Sequence, residues 1–186
     1  MKRMIIASLF LIIGCKEEKK EMTTPVESQP QEKVIQEIKP QAHEAENAKK
    51  WLEKSIGDYF KADTNQDKVM QKITTRDYYE YKTDAINVDM EVDGSLTEKE
   101  FQDKWRKTFD VQKAGIGVGF LISGQDWDEV KVTSCKLLTE SENEFLFDVV
   151  LSDQKFKAEY PVTITVIKDN NSFLIADVWQ KEAKFN

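Results

Sequence analysis

Residues Glu129 to Gln180 read EVKVTSCKLLTESENEFLFDVVLSDQKFKAEYPVTITVIKDNNSFLIADVWQ. Four runs in this stretch are rich in β-branched and aromatic residues: 129–138, 144–152, 156–168 and 172–180. Such side chains suit a pleated, half-buried surface. Between the runs stand Glu140-Ser141-Glu142-Asn143, Ser152-Asp153-Gln154 and Lys168-Asp169-Asn170-Asn171. Polar breaks this short join neighbouring strands as hairpins, so the stretch predicts an antiparallel meander. The run 116–123 just before it is expected to be a strand as well. Within 144–152, Phe145, Phe147, Val149 and Leu151 share one face, and Leu146 and Val150 share the other. One face packs on helices. The other needs a second cover or a homodimer through the sheet, because long exposed apolar patches are unusual on monomers.

Upstream the period changes. Ala45, Ala48, Leu52, Ile56, Tyr59 and Phe60 recur every three or four residues and predict an amphipathic helix over 44–60. A second helix is expected over 67–84, rich in Tyr78, Tyr79 and Tyr81. Val88, Met90 and Val92 alternate with Asp89, Glu91 and Asp93, which predicts a short strand. Thr97 followed by Glu100 is a capping box, and Phe101, Trp105 and Phe109 line the helix it opens. Three helices first and long strands last argue an α+β domain over 44–186.

That order of elements resembles the cystatin and nuclear-transport-factor-2-like superfamilies. The resemblance implies a curved sheet wrapped into a cone around the first helix, with a pocket at the open end. Isomerases, dehydratases and non-catalytic binding modules all share that fold, so the fold leaves the chemistry open. The enzymes place His and Asp in the pocket, whereas the one His here is His43, ahead of the domain.

The chain begins Met1-Lys2-Arg3, and an apolar run follows from Met4 to Gly14. A helix of that run would rise only ~17 Å, too short for a hydrocarbon core of ~30 Å. The segment 1–14 reads as a signal peptide. Its end, Ile12-Ile13-Gly14-Cys15, resembles the lipobox of bacterial lipoproteins, with Ile13 standing where a smaller residue is usual. The resemblance implies cleavage before Cys15 and acylation there, by palmitate among other chains. It also implies an outer-membrane lipoprotein of the cell envelope, facing periplasm or exterior. Lys16-Glu17-Glu18 resembles the acidic surface-export signal of some Bacteroidetes lipoproteins. Residues 15–43 hold Pro25, Pro30 and Pro40, many charges and no aromatic residue, a composition that favours a disordered tether. Val34, Ile35 and Ile38 are expected to form at most a helical turn that Pro40 stops.

The 27 Lys and Arg stand against 34 Asp and Glu, a formal charge of −7, which argues against a nucleic-acid partner. Two cysteines exclude a disulfide scaffold. After acylation of Cys15 only Cys135 remains, on an expected strand and with no His to activate it.

Two constellations are candidates for chemistry. Asp89-x-Glu91-x-Asp93-Gly94-Ser95-x-Thr97-x-x-Glu100 resembles an EF-hand calcium loop, with a Gly at the sharp turn. The same residues also read as a strand end and a helix cap. Asp63-x-Asn65-x-Asp67 starts similarly but lacks the later Gly and Glu. The second constellation is the cone mouth: Asp148 and Asp177 on apolar strands, with Tyr160 and Trp179 beside them. A carboxylate on an apolar face has a raised pKa and can serve as a base. Three readings follow: a lipid-anchored, non-catalytic module binding a small ligand or protein; a pocket enzyme with an Asp base; and a calcium-stabilised structural domain.

Overall fold

A computed structural model describes residues 40–124 and 126–186, with side chains from residue 43 onward. The signal segment, Cys15 and the tether as far as residue 39 lie outside the described residues.

Helix α1 spans Pro40–Phe60 and starts earlier than the apolar period alone suggests. Pro40 opens the helix; the turn expected at Val34, Ile35 and Ile38 lies outside the described residues. A first-turn residue needs no helical N–H, and the proline ring presets φ. Ala45, Ala48, Leu52, Ile56 and Phe60 form its buried stripe. The expected second helix is two helices, α2 (Gln66–Ile73) and α3 (Arg76–Asn87). A long-range contact separates them. Thr74 forms an isolated parallel bridge with Ile175, and the Thr75 amide donates to the Ile175 carbonyl at 2.8 Å. The Thr75 side chain then caps α3 by accepting from the Tyr78 amide. With α4 (Glu98–Trp105) the described residues hold four α-helices, where three were expected.

Two expected strands are loops. Over 88–93, Asp89 and Glu91 sit at φ 57° and 55°, left-handed values that break an extended run. Over 116–123 the chain is irregular, with Gly115 and Gly117 at φ 61° and 69°. Phe120, Leu121 and Ile122 nevertheless reach the core.

The sheet follows the sequence closely. Strands β1 (Val130–Glu140), β2 (Glu144–Asp153), β3 (Ala158–Asp169) and β4 (Ser172–Gln180) lie in that order, all antiparallel. The short β5 (Lys184–Phe185) pairs with the start of β3. The architecture is therefore α+β, with helices against an antiparallel sheet. Phe145, Phe147, Val149, Leu151, Val162, Ile164, Val166 and Ile175 are each at most 1% exposed. They fill the helix-covered face together with Leu52 and Ile56 of α1. Among the described residues, no helix is long and apolar enough to cross a membrane.

Candidate functional site

The cone-mouth residues do not form one cluster. Tyr160 pairs with Leu151 across β2 and β3 on the helix-covered face and is only 3% exposed. Its hydroxyl lies against the backbone of Gly124. Asp148, Thr163 and Trp179 form one cross-strand row on the opposite face. There the Lys181 ammonium donates to Asp148 at 2.6 Å. Trp179 is 42% exposed, with Lys113 and Lys181 lying 4.8 and 5.8 Å from its ring centre.

Asp177 departs from the face that its sequence spacing implies. A β-bulge opposite Thr165 and Val166 admits Ala176 as an extra residue. Phe173 and Ile175 therefore point into the core, while Asp177 and Trp179 fall in register with Thr165 and Thr163 on the other face. A bulge shifts the alternation by one residue. Asp177 is nonetheless half-buried, because α3 and the following loop cover this edge of the sheet.

The environment of Asp177 includes a group that the sequence reading missed. Lys82, on α3, is only 2% exposed. Its ammonium donates to the carbonyls of Ala114 and Gly115 at 2.8 and 3.2 Å. Burial pulls its pKa down to about 8, against the opposing pull of Asp177. Burial also raises the Asp177 carboxyl, while the Val178 amide, which donates to it at 2.9 Å, holds it back. Burial pushes the Tyr78 and Tyr81 hydroxyls up, and Asp177 pushes them further. The signal was present in the sequence: Tyr78, Lys82 and Ala85 fall on one stripe of a helical period. A lysine on that stripe is either a defect or a designed contact. Here its protons go to two backbone carbonyls, and the result is a lock on the loop around residue 115.

The acidic loop runs into the cap of α4. The Glu100 carboxylate accepts from both the Thr97 amide and the Thr97 hydroxyl, completing the capping box. Those two bonds hold its pKa below the usual range. Asp89 and Glu91 stand in left-handed backbone and, with Ser95, line a shallow cleft of about 330 Å³. Among the described residues, no group of three or more His, Cys, Asp and Glu is placed to hold a metal ion. The similar start at Asp63 forms a 3₁₀ turn over Asp63–Asn65. Asp67 instead accepts from the Tyr79 hydroxyl at 3.0 Å.

Cys135 is buried beneath α1, and burial drives its thiol to about 12, with Glu53 adding to the rise. His43 is exposed at the start of α1. A groove of about 490 Å³ lies between α1 and β1. Gly57, Phe60, Val130 and Val132 supply its apolar walls.

Compared with protein-family models, curated proteins and solved structures, the chain has no significant match.

Proposed function

We propose that this chain is an envelope lipoprotein, acylated at Cys15, whose domain serves as a non-catalytic binding module. The observation that carries the binding reading is the filled helix-covered face. In a cone of the nuclear-transport-factor-2-like type, a ligand would enter where Leu52, Ile56, Phe145, Phe147 and Ile164 pack here at 1% exposure or less. Recognition then falls to the surface: the Trp179 row, the groove beside β1 and the acidic loop. The anchor reading rests on Ile12-Ile13-Gly14-Cys15 and on the charged, proline-containing segment after it. Several acyl chains hold a protein on a bilayer stably where one does so marginally.

The test is labelled-palmitate incorporation in a Gram-negative host. The chain should take up label, and Cys15→Ala should accumulate as an unlabelled precursor. Label retained by the variant would refute acylation at this residue. Protease treatment of whole cells then separates a periplasmic from an external domain.

A second reading has one observation in its favour. Asp177 and Lys82 both shift toward their neutral forms in one neighbourhood, a pattern found at acid–base sites. As an enzyme the chain would use Asp177 as base. Against this, both groups already bond the backbone. Asp177→Asn separates the readings: it abolishes turnover in an enzyme and leaves surface binding intact in a binding module.

A further inference from the structure

We propose that the groove between α1 and β1 receives residues 33–37 of a second copy of this chain, as an added strand on the open edge of β1. Four observations carry it. First, β1 is the outer strand of the sheet and pairs only with β2 among the described strands. The far edge of β4, by contrast, is met by Thr74 and Thr75. An open edge presents unpaired N–H and C=O groups, for which an extended segment is the natural partner. The ladder of β1 is regular over Val130–Val132, directly beside the groove, and irregular just after it. A short added strand therefore fits better than a long one.

Second, Gly57 leaves room in the groove. A Cβ at Gly57 would meet no atom within 4 Å, so the glycine is not required by the packing of α1. It leaves space above Phe60, Val130 and Val132 for an apolar side chain.

Third, the rim has a polarity. Glu129 pairs with Lys131 at 2.9 Å and Asp128 with Lys155 at 2.8 Å. Glu53 and Lys61 also line the groove and enter no ion pair among the described residues. They stand eight residues apart, Glu53 on α1 and Lys61 in the turn just past its end, about 12 Å along the axis. A strand carries alternate side chains on one face, so positions i and i+4 lie about 13 Å apart. Helix α1 runs against β1, since Phe60 and Lys61 flank Val130 while Glu46, Lys49 and Glu53 lie near Cys135. A strand antiparallel to β1 thus runs from Glu53 toward Lys61. It needs a base, an apolar residue and an acid at positions one, three and five.

Fourth, the chain carries that order in Lys33-Val34-Ile35-Gln36-Glu37. Its own groove is out of reach in this sense. Three residues of chain reach at most about 10 Å from Pro40, whereas Lys61 is about 32 Å from Pro40 along α1. Folded back on its own domain, the segment would run the wrong way and bring Lys33 toward Lys61. The occupant is therefore a neighbouring copy.

The experiment mixes isotopically heavy and light full-length chain and treats it with a carbodiimide, which joins a lysine amine to a carboxylate in contact. Mass spectrometry should find heavy–light peptides linking Lys33 to Glu53 and Glu37 to Lys61. Gly57→Leu, whose Cβ meets no atom within 4 Å, places a side chain in the groove and should reduce these links about tenfold, with the circular dichroism spectrum unchanged. Lys33→Glu should do the same, and combining it with Glu53→Lys should restore association. The peptide QEKVIQEIK, residues 31–39, should compete. Absence of heavy–light links would overturn the proposal, and so would links indifferent to Gly57→Leu. Binding of the peptide with no self-association of the chain would give the groove to another protein's strand and overturn it equally. None of these outcomes depends on acylation of Cys15, which the palmitate experiment reads separately.

Discussion

The Lys82 ammonium donates to the Ala114 carbonyl at 2.8 Å, across 32 residues of sequence. This bond ties the middle of α3 to a loop that is also held by the Gly117 amide, which donates to the Ala85 carbonyl at 3.0 Å, and by the Gln180 side chain, which donates to the Gly119 and Phe120 carbonyls. The loop contributes Phe120, Leu121 and Ile122 to the core, and Lys113 over Trp179. A buried cation thus helps hold the cover on one edge of the sheet.

The same bond predicts an unusual pH profile. The folded state gives up the Lys82 proton near 8, while the unfolded chain keeps it to the ordinary lysine range. Below 8 the buried charge is a cost to folding. Between 8 and that range the unfolded state holds more protons, so stability rises with pH, by about 3 kcal/mol in the limit. The Cys135 thiol, raised to about 12 by burial, acts in the opposite sense above 9, so the urea midpoints at pH 7.5, 8.5 and 9.5 are read in a Cys135→Ala background. There they should increase, and Lys82→Met should flatten the trend. An equal slope in both proteins would contradict the assignment. The range stops below 10 because the raised Tyr59 and Tyr78 hydroxyls act in the opposite sense above it.

Asp153 should govern stability on the acid side. It is 1% exposed and accepts from the amides of Asp128, Lys155 and Phe156 at 2.6, 2.9 and 3.1 Å. Burial pushes its carboxyl up, but the three amides outweigh that and hold it below the usual range. Its contribution is therefore present above the ordinary carboxylate pKa and lost as pH falls through the lower folded value. Asp153→Asn should cost about 1–3 kcal/mol at pH 7. It should also weaken the acid dependence of the melting temperature between pH 6 and 3. A variant as stable as the parent would show that the turn is held otherwise.

Gly124 and Tyr160 should couple. A Cβ at Gly124 would stand 2.7 Å from the Tyr160 hydroxyl oxygen. Overpacking of this kind costs about 1–3 kcal/mol. Gly124→Ala should lose stability of that order, and adding Tyr160→Phe should recover part of it. Additive losses in the double variant would place the strain elsewhere.

Calcium should not raise the melting temperature, because the Glu100 carboxylate is held by Thr97 and the other acids of the loop do not join it. Thr97→Ala should instead lower stability by about 1 kcal/mol, as loss of a helix cap does. For a domain of this size that is about 2–4 °C. A calcium-dependent rise, abolished by Asp89→Ala, would reverse this conclusion.

Cys135 should behave as an inert thiol. Burial drives its pKa to about 12, so little thiolate forms at neutral pH. Iodoacetamide should label it only after urea unfolds the chain. Rapid labelling of the folded protein would mean that α1 opens away from β1.

The four long strands were legible because a strand with one buried face writes its period of two into the sequence. Helices α1 and α4 were legible for the same kind of reason, an apolar stripe in one case and a capping box in the other. Where local signals carried a second possibility, the tertiary structure chose. Thr74 has no local reason to end a helix, and its bridge to Ile175 is made by a residue a hundred positions on. Alternation over 88–93 imitates a strand, but no neighbouring strand is available there, and the backbone of Asp89 and Glu91 turns left-handed instead.

The candidate residues divide the same way. Asp148 was placed on the correct strand face with Leu146 and Val150, yet that face lies away from the helices. Asp177 was placed on the wrong one, since a single inserted residue in β4 reverses all that follows. Lys82 passed as an ordinary helical lysine until the loop carbonyls of Ala114 and Gly115 gave it a place inside. Local periodicity is set by each segment's own contact with the core, so the sequence alone determined the α+β class and the strand order. Which faces meet, where a bulge falls and which charge is buried depend on contacts between distant residues, and those only the tertiary structure decided.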